Sequence, residues 1–325
     1  MKNGLIKTVI NKYAIIFVLF GLVLLFSLLS PYFFTLQNLT NVFVQQSYVI
    51  IATIGLSFVM ISGGMDLSIG YQMSLVGVVT AILMKNIGLP VPLSILLGLL
   101  LGVALGLTNG LAAITLKVHP LIVTLGTMTV YQGISYIASN QSVILNLPPS
   151  FKAIGQGYIG GIIPISVILM IIVSIVASFI LNKTSFGRYV YALGSNEEAA
   201  HLGGINVNKI KLIIFAINGL FAAIASMILF ARTGSAASST GPGTEFSAMT
   251  SAVLGGISFK GGEGKVWGII VGVLILGVLG NGMQLVGLNT YAQFIVKGLV
   301  LLAAVGFDTY QKASAQKASI KESTN

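Results

Sequence analysis

The chain has 325 residues, of which 55% are hydrophobic and only 7% charged, with a net charge of +10 and no cysteine. An ordinary soluble domain carries about 25% charged residues to wet its surface, so this composition excludes a soluble enzyme, a disordered chain and a disulfide scaffold. What remains is an all-α, multi-span membrane protein, and the meaning of the basic excess depends on where the charges lie.

A bilayer core takes roughly 20 apolar residues per helix. The runs 13–30, 42–62, 71–84, 92–116, 121–139, 164–181, 212–231, 248–259, 266–285 and 290–308 predict about ten transmembrane helices. The third and eighth are short, so they are broken, re-entrant or extended into polar flanks. Pro31, Pro90, Pro92, Pro120, Pro148, Pro149, Pro164 and Pro242 all fall at or outside the ends of these runs, as expected of a residue that costs a helix interior about 3 kcal/mol. The first run follows Lys2, Lys7 and Lys12 as a signal peptide would. Its apolar stretch is too long for that, and Ser30-Pro31-Tyr32-Phe33 is no small-residue cleavage site, so a retained helix is expected.

Ten crossings from a cytoplasmic N-terminus put 13 of the 17 basic residues in the cytoplasm, with Lys85, Lys152 and Arg232 outside and Lys297 inside the last span. Basic residues favour cytoplasmic loops. The +10 is therefore a topology signal, with the lipid bilayer and no nucleic acid as partner. The expectation is a multi-pass protein of the cell membrane with both termini cytoplasmic. Residues 1–308 form one transmembrane domain, and 309–325 a polar, disordered tail.

A few polar features interrupt the spans. The segment Gly63-Gly64-Met65-Asp66-Leu67-Ser68-Ile69-Gly70 breaks an apolar stretch. Glycine permits unusual backbone angles, and Asp66 and Ser68 can hold freed amides. The segment reads as a capped helix break, as a hinge or gate beside a solute path, or as both. In the fourth span Gly98, Gly102, Gly106 and Gly110 recur every four residues on one face, a pattern that favours close helix packing. Asn-Gly recurs at Asn109-Gly110, Asn218-Gly219 and Asn281-Gly282. The first pair lies near the cytoplasmic end of its span and the third near the outer end, as an inverted repeat of spans two to five and seven to ten would give.

Asn109, Gln132, Asn218 and Asn281 serve as interhelical glue or as a lining for a pathway. Lys297 either snorkels to the interface or pairs with Asp66, the one acid near a span interior. Glu245 falls in an outer loop. His119 and His201 lie near cytoplasmic loops, leaving no acid–histidine relay. The other polar side chains within spans, including Gln45, Gln46, Gln284 and Gln293, are neutral and suit an uncharged polar solute, unless they too only hold helices together.

Residues 182–211 are the most polar stretch before the tail. Within it Ser195-Asn196-Glu197-Glu198-Ala199-Ala200-His201-Leu202-Gly203-Gly204 reads as a short capped helix. Ser195 and Glu198 have capping-box spacing, and Gly203 or Gly204 suits a left-handed C-cap. Two turns do not persist alone, so it is a docking helix or a loop helix supported by the membrane domain. The Gly-rich loop 255–265 fails the nucleotide-binding pattern, because Val266 follows Gly264-Lys265. No catalytic, metal or cofactor constellation is present in the sequence.

These segments, taken in order, resemble the ribose-type branch of permease subunits of ATP-binding-cassette importers. The resemblance runs from the first span to Asp308. It rests on Gly63–Gly70, Leu107–Leu111, His119–Gly133, Lys183–Arg188 through Asn196–Ala200, Leu254–Ile257 and Val296–Gly298. It implies a homodimer or related heterodimer of permeases, a cytoplasmic ATPase docked on Ser195–Ala200, and an extracytoplasmic sugar-binding protein. It also implies import of a monosaccharide, pentose such as ribose first. The competing reading is a secondary transporter driven by an ion gradient through Asp66 and Lys297.

Overall fold

The computed structural model describes residues 2–323, with side chains described over residues 15–306. The helices are α1 (Lys2–Leu29), α2 (Leu36–Ile61), α3 (Ile69–Lys85), α4 (Val91–Leu116), α5 (Pro120–Ala138) and α6 (Pro149–Gln156). A two-stranded hairpin, β1 (Tyr158–Ile159) and β2 (Ile163–Pro164), then leads to α7 (Ile165–Lys183), α8 (Ser185–Ser195) and α9 (Glu197–Leu202). α10 (Val207–Thr233), α11 (Thr244–Leu254), α12 (Val266–Leu285) and α13 (Thr290–Ser323) complete the chain. The expected tail, 309–325, lies outside the described side chains.

Local chemistry sets the boundaries. Thr35 caps α2 by accepting from the Asn38 amide at 3.2 Å. Proline occupies the first turns of α4, α5 and α6, where no intrahelical N–H is lost. Lys117 (φ 54°) and Gly234 (φ 68°) end α4 and α10 in the left-handed region.

Two ends of the bundle are distinguishable. At one lie α8 and α9, at the other α6. The Gly262 amide donates to the carbonyl of Ile61 at 2.8 Å, so α2 finishes at the α9 end. α10 starts there, with Lys211 paired to Glu197 at 2.6 Å, and finishes at the α6 end, where Gln156 donates to the Arg232 carbonyl at 2.9 Å. α2 and α10 therefore run in opposite directions and pack against each other at the centre.

Around this pair the packing repeats. α4 lies on α10 as α12 lies on α2, and α3 on α10 as α11 on α2. α3 contacts α4 and α5, while α11 contacts α12 and α13. The order long helix, non-helical segment, short helix, long helix, helix thus occurs twice with reversed direction. α2, α10 and α12 bury most of their apolar length, whereas α4, α5 and α7 leave theirs largely uncovered, as lipid-facing helices do.

The glycine stripe of α4 is a packing seam. A Cβ on Gly106 would overlap the Phe215 carbonyl of α10, and one on Gly219 would overlap the Gly102 carbonyl of α4. Backbone approaches backbone, and apolar contact replaces lipid contact.

The structure gives the form of the two short runs and departs from the sequence reading elsewhere. The eighth expected span, 248–259, is α11, 11 residues long, or about 16 Å at 1.5 Å per residue. That is half of a roughly 30 Å hydrocarbon core, so α11 is a half-helix, entered through the non-helical segment 235–243. α3, 17 residues, likewise follows a non-helical segment. Among the described residues six helices, α2, α4, α5, α7, α10 and α12, are long and apolar enough to cross a membrane, with shorter apolar stretches at Ile15–Leu29, Ile69–Lys85 and Thr290–Gly306. Finally, α6 with its hairpin and α8 occupy stretches read as loops.

Candidate functional site

The break between α2 and α3 gathers a closed polar cluster. Asp66 is fully buried. Its Oδ1 accepts from the Ser68 amide at 2.8 Å and the Ser68 hydroxyl at 2.6 Å. Its Oδ2 accepts from Asn218 of α10 at 2.7 Å, Gln72 of α3 at 3.1 Å and Asn109 of α4 at 3.4 Å. Gln72 and Asn109 also donate to Ser68 Oγ at 2.7 and 2.8 Å. Behind them the Tyr131 hydroxyl of α5 donates to Asn109 Oδ1 at 3.0 Å. A buried carboxylate is costly unless its lone pairs are filled, and here neutral donors from the break, α3, α4 and α10 fill them.

The cluster shows where the polar residues singled out by residue order lie. Asn109 and Asn218 bind α4 and α10 to the break. Asp66 holds the amide of Ser68, the residue before α3, and no α3 amide takes a side-chain cap. The Asp66–Lys297 pair is absent: Lys297 lies in a separate cavity, and among the described residues the one ion pair is Lys211–Glu197. Gln132 is half-buried beside Tyr131 and takes no part in the cluster. Asn281 makes a reciprocal carboxamide pair with Asn38, 2.9 Å in both directions, tying the end of α12 to the start of α2.

The start of α3 meets the non-helical segment before α11 at Gly70 and Gly241. A Cβ on Gly241 would overlap the Gly70 carbonyl, and one on Gly70 would overlap the Glu245 carboxylate. The Gly241 amide donates to Ser74 Oγ at 3.0 Å. Glu245, expected in an outer loop, is buried at the start of α11 and accepts from the Gly243 amide at 3.0 Å. A signal for it was in the sequence: Asp66-Leu67-Ser68 and Glu245-Phe246-Ser247 share an acid–apolar–serine order at the starts of the two short helices.

A second polar region lies between α2, α11, α12 and α13, the helices equivalent to α10, α3, α4 and α5. It is a chamber of about 170 Å³ whose lining includes Gln46, Ser247, Ser251, Gln284, Gln293 and Lys297. The Gly277 position leaves room for the Gln46 side chain, which a Cβ there would strike.

The third region is the α9 end. Asn196, and not Ser195, caps α9, accepting from the Ala199 amide at 2.9 Å. Ser195 closes α8 and donates to the Tyr191 carbonyl at 2.9 Å. Gly204 (φ 85°) supplies the left-handed residue after the helix. Ala200 is buried while Leu202 is 81% exposed, so α9 turns one face to the bundle and an apolar tip away from it. Glu197, Glu198 and His201 line an adjoining groove of about 760 Å³. Beneath it a Cβ on Gly194 would overlap the Ile61 carbonyl, and one on Gly261 would crowd Gly63 and Gly194. The end of α8, the 261–264 loop and the end of α2 are thus in backbone contact, which connects α9 mechanically to the break that carries Asp66.

The family model for the permease component of branched-chain amino acid transport systems matches residues 38–305. The chain belongs to this permease family. It is 39% identical over 293 residues to the ribose import permease protein of Haemophilus influenzae, covering 89% of this chain and 90% of that one. The ribose import permease protein of Bacillus subtilis is 40% identical over 297 residues, 91% and 92% of the two chains. The D-allose transport system permease protein of Escherichia coli K12 is 36% identical over 299 residues, 92% and 91%. No solved structure matches. The family resemblance carried by the motifs is thereby borne out, and the matched region contains all three polar regions of the permease.

Proposed function

We propose that this permease is the membrane subunit of an ATP-driven importer of a monosaccharide, with a pentose such as ribose as its solute. A cytoplasmic ATP-binding-cassette ATPase docks on α9, an extracytoplasmic binding protein delivers sugar at the α6 end, and a second permease copy completes the pathway. Both termini then face the cytoplasm. The observation that carries the reading is α9. It is a short helix capped by Asn196, presenting Glu197, Glu198 and the exposed Leu202 beside a groove. Its support is a backbone-to-backbone junction with the α2 break. A rigid helix on rigid support transmits a push as a rigid-body movement. The ribose and allose relatives and a lining rich in amides and hydroxyls support this choice of solute.

Reconstitution with the ATPase and the binding protein tests this. ATP-dependent uptake of labelled ribose is the expected result. Uptake by the permease alone on a proton gradient, without ATP, would sink the proposal. Glu198→Lys places a cation in the groove and is expected to weaken capture of the ATPase by about tenfold. Unchanged capture removes α9 as the docking element.

A further inference from the structure

The geometry points to the chamber between α2, α11, α12 and α13 as a solute subsite for a neutral polyhydroxylated molecule, with Lys297 as the residue that selects it. This rests on the monosaccharide importer reading and gives it a location inside one subunit.

Four observations converge. The chamber, about 170 Å³, is more than ten times the roughly 10–15 Å³ that admits one water. Its mouth carries the exposed amides of Gln45 and Gln284, and its floor is Ser251, which is fully buried. The Ser251 hydroxyl has no hydrogen-bond partner. Buried hydroxyls are normally satisfied; of the buried polar atoms without a partner, among the described residues, this one belongs to a residue that lines the chamber, whereas Gln72 Oε1, Asn218 Oδ1 and Ser166 Oγ do not. Lys297 reaches the same space, its ammonium 3.7 Å from where a Gly280 methyl would sit. Among the described residues no hydrogen bond or ion pair engages it.

The chemistry of the lining selects the class of ligand. Glutamine amides offer donors and acceptors, serine offers both, and lysine offers donors only. That set matches vicinal hydroxyls, each of which donates and accepts. A solute in transit must bind well enough to enter and weakly enough to leave. Neutral hydroxyls on a half-buried ammonium meet that condition, whereas a carboxylate would form a desolvated ion pair and stay. No acid lines the chamber, so nothing there attracts a cationic solute.

The equivalent position in the other repeat shows what fills such a site when a ligand does not. Around Asp66, side chains from α10, α3, α4 and α5 fill the space and hydrogen-bond to one another, with Gln72 Oε1 and Asn218 Oδ1 left without partners. In the second repeat the acid, Glu245, instead binds the Gly243 amide and packs on Gly70, and the corresponding centre is open.

The absence of native cysteine makes a single thiol a unique probe. In purified permease in nanodiscs, Ser251→Cys is expected to react with methyl methanethiosulfonate. Ribose should slow that reaction in proportion to occupancy, to about a tenth at ten times its dissociation constant. Ser68→Cys, in the closed cluster, should stay unreactive. A Ser251→Cys rate independent of ribose, or protection by ribonate in place of ribose, overturns the proposal.

In the reconstituted transporter, Lys297→Met is expected to lower ribose uptake by about tenfold or more, the loss of one charge-assisted hydrogen bond, with ATPase capture intact. Gly280→Ala adds a methyl at ordinary contact distance from Lys297 and no clash, so it narrows the chamber in a folded protein and should lower uptake too. Wild-type uptake in both variants also overturns the proposal. Failure of the wild-type complex to take up ribose would instead refute the importer reading, and the thiol experiment on the permease alone would still decide the chamber.

Discussion

The Asp66 cluster and the Lys297 chamber occupy equivalent places in two inverted sets of helices, yet one is full and the other open. In the first, a carboxylate sits at the centre and collects five hydrogen bonds from Ser68, Gln72, Asn109 and Asn218. In the second, the acid is turned to the start of α3, and amides, hydroxyls and one ammonium surround space. The seams differ in the same sense. α4 and α10 meet glycine on glycine with backbone in contact, whereas α12 seats the Gln46 side chain of α2 over Gly277. A bundle that must hold its shape and pass a polar molecule needs both kinds of site. A dense hydrogen-bond network on a buried carboxylate makes a joint that opens only at high cost, and uncommitted polar groups around a space make a surface a solute can use.

The largest effect that tests this contrast is Asp66→Ala. It removes five hydrogen bonds and leaves the Ser68 amide and hydroxyl and the Asn218 amide without their acceptor, and the expected loss of stability is on the order of 3 kcal/mol or more, read as thermal unfolding in detergent. A loss under about 1 kcal/mol would mean that the cluster is not the structural joint described. Next is Gly219→Val, which drives a side chain into the Gly102 backbone carbonyl; overpacking of this kind costs about 1–3 kcal/mol or more. Gly277→Ala strikes only the Gln46 side chain, which can swing aside, so its cost should be clearly smaller. Equal costs at the two glycines would erase the difference between the seams.

Ser251→Ala removes a hydroxyl that has no partner, so stability is expected to move by no more than about 0.5 kcal/mol; a larger loss would reveal a structural role for the chamber floor. The smallest effect is a coupling. Asp66 and Lys297 share no partner, so Asp66→Asn and Lys297→Gln should add within about 0.5 kcal/mol in a double-mutant cycle. Rescue of one by the other would restore the ion pair that the structure lacks.

Much of the fold was legible from residue order because a bilayer constrains the chain so strongly. Apolar runs must be helices when no water satisfies their backbone, and prolines at their ends mark where each stops. The stripe Gly98–Gly110 announced close packing, and Gly63–Gly70 announced a break. Misreadings came where short polar side chains have several compatible uses. Ser195 and Asn196 are adjacent candidates for one cap, and only backbone geometry chose Asn196. Glu245 looked like a loop acid because the apolar run that marks α11 begins at residue 248, whereas the helix starts at Thr244.

By itself, the sequence determined the class of molecule, the family, the helix break at Gly63–Gly70 and the α9 segment, since each follows from local composition or from residues adjacent in the chain. Tertiary structure alone decided which polar groups meet. Asp66 was free to seek Lys297 or the asparagines 43 and 152 residues away along the chain. The choice depends on the reversed directions of α2 and α10, which bring α4 and α10, and not α13, to the break. The same reversal placed Lys297 opposite Gln46 and Ser251, because a side chain's partners across helices are set by packing geometry that no local pattern records.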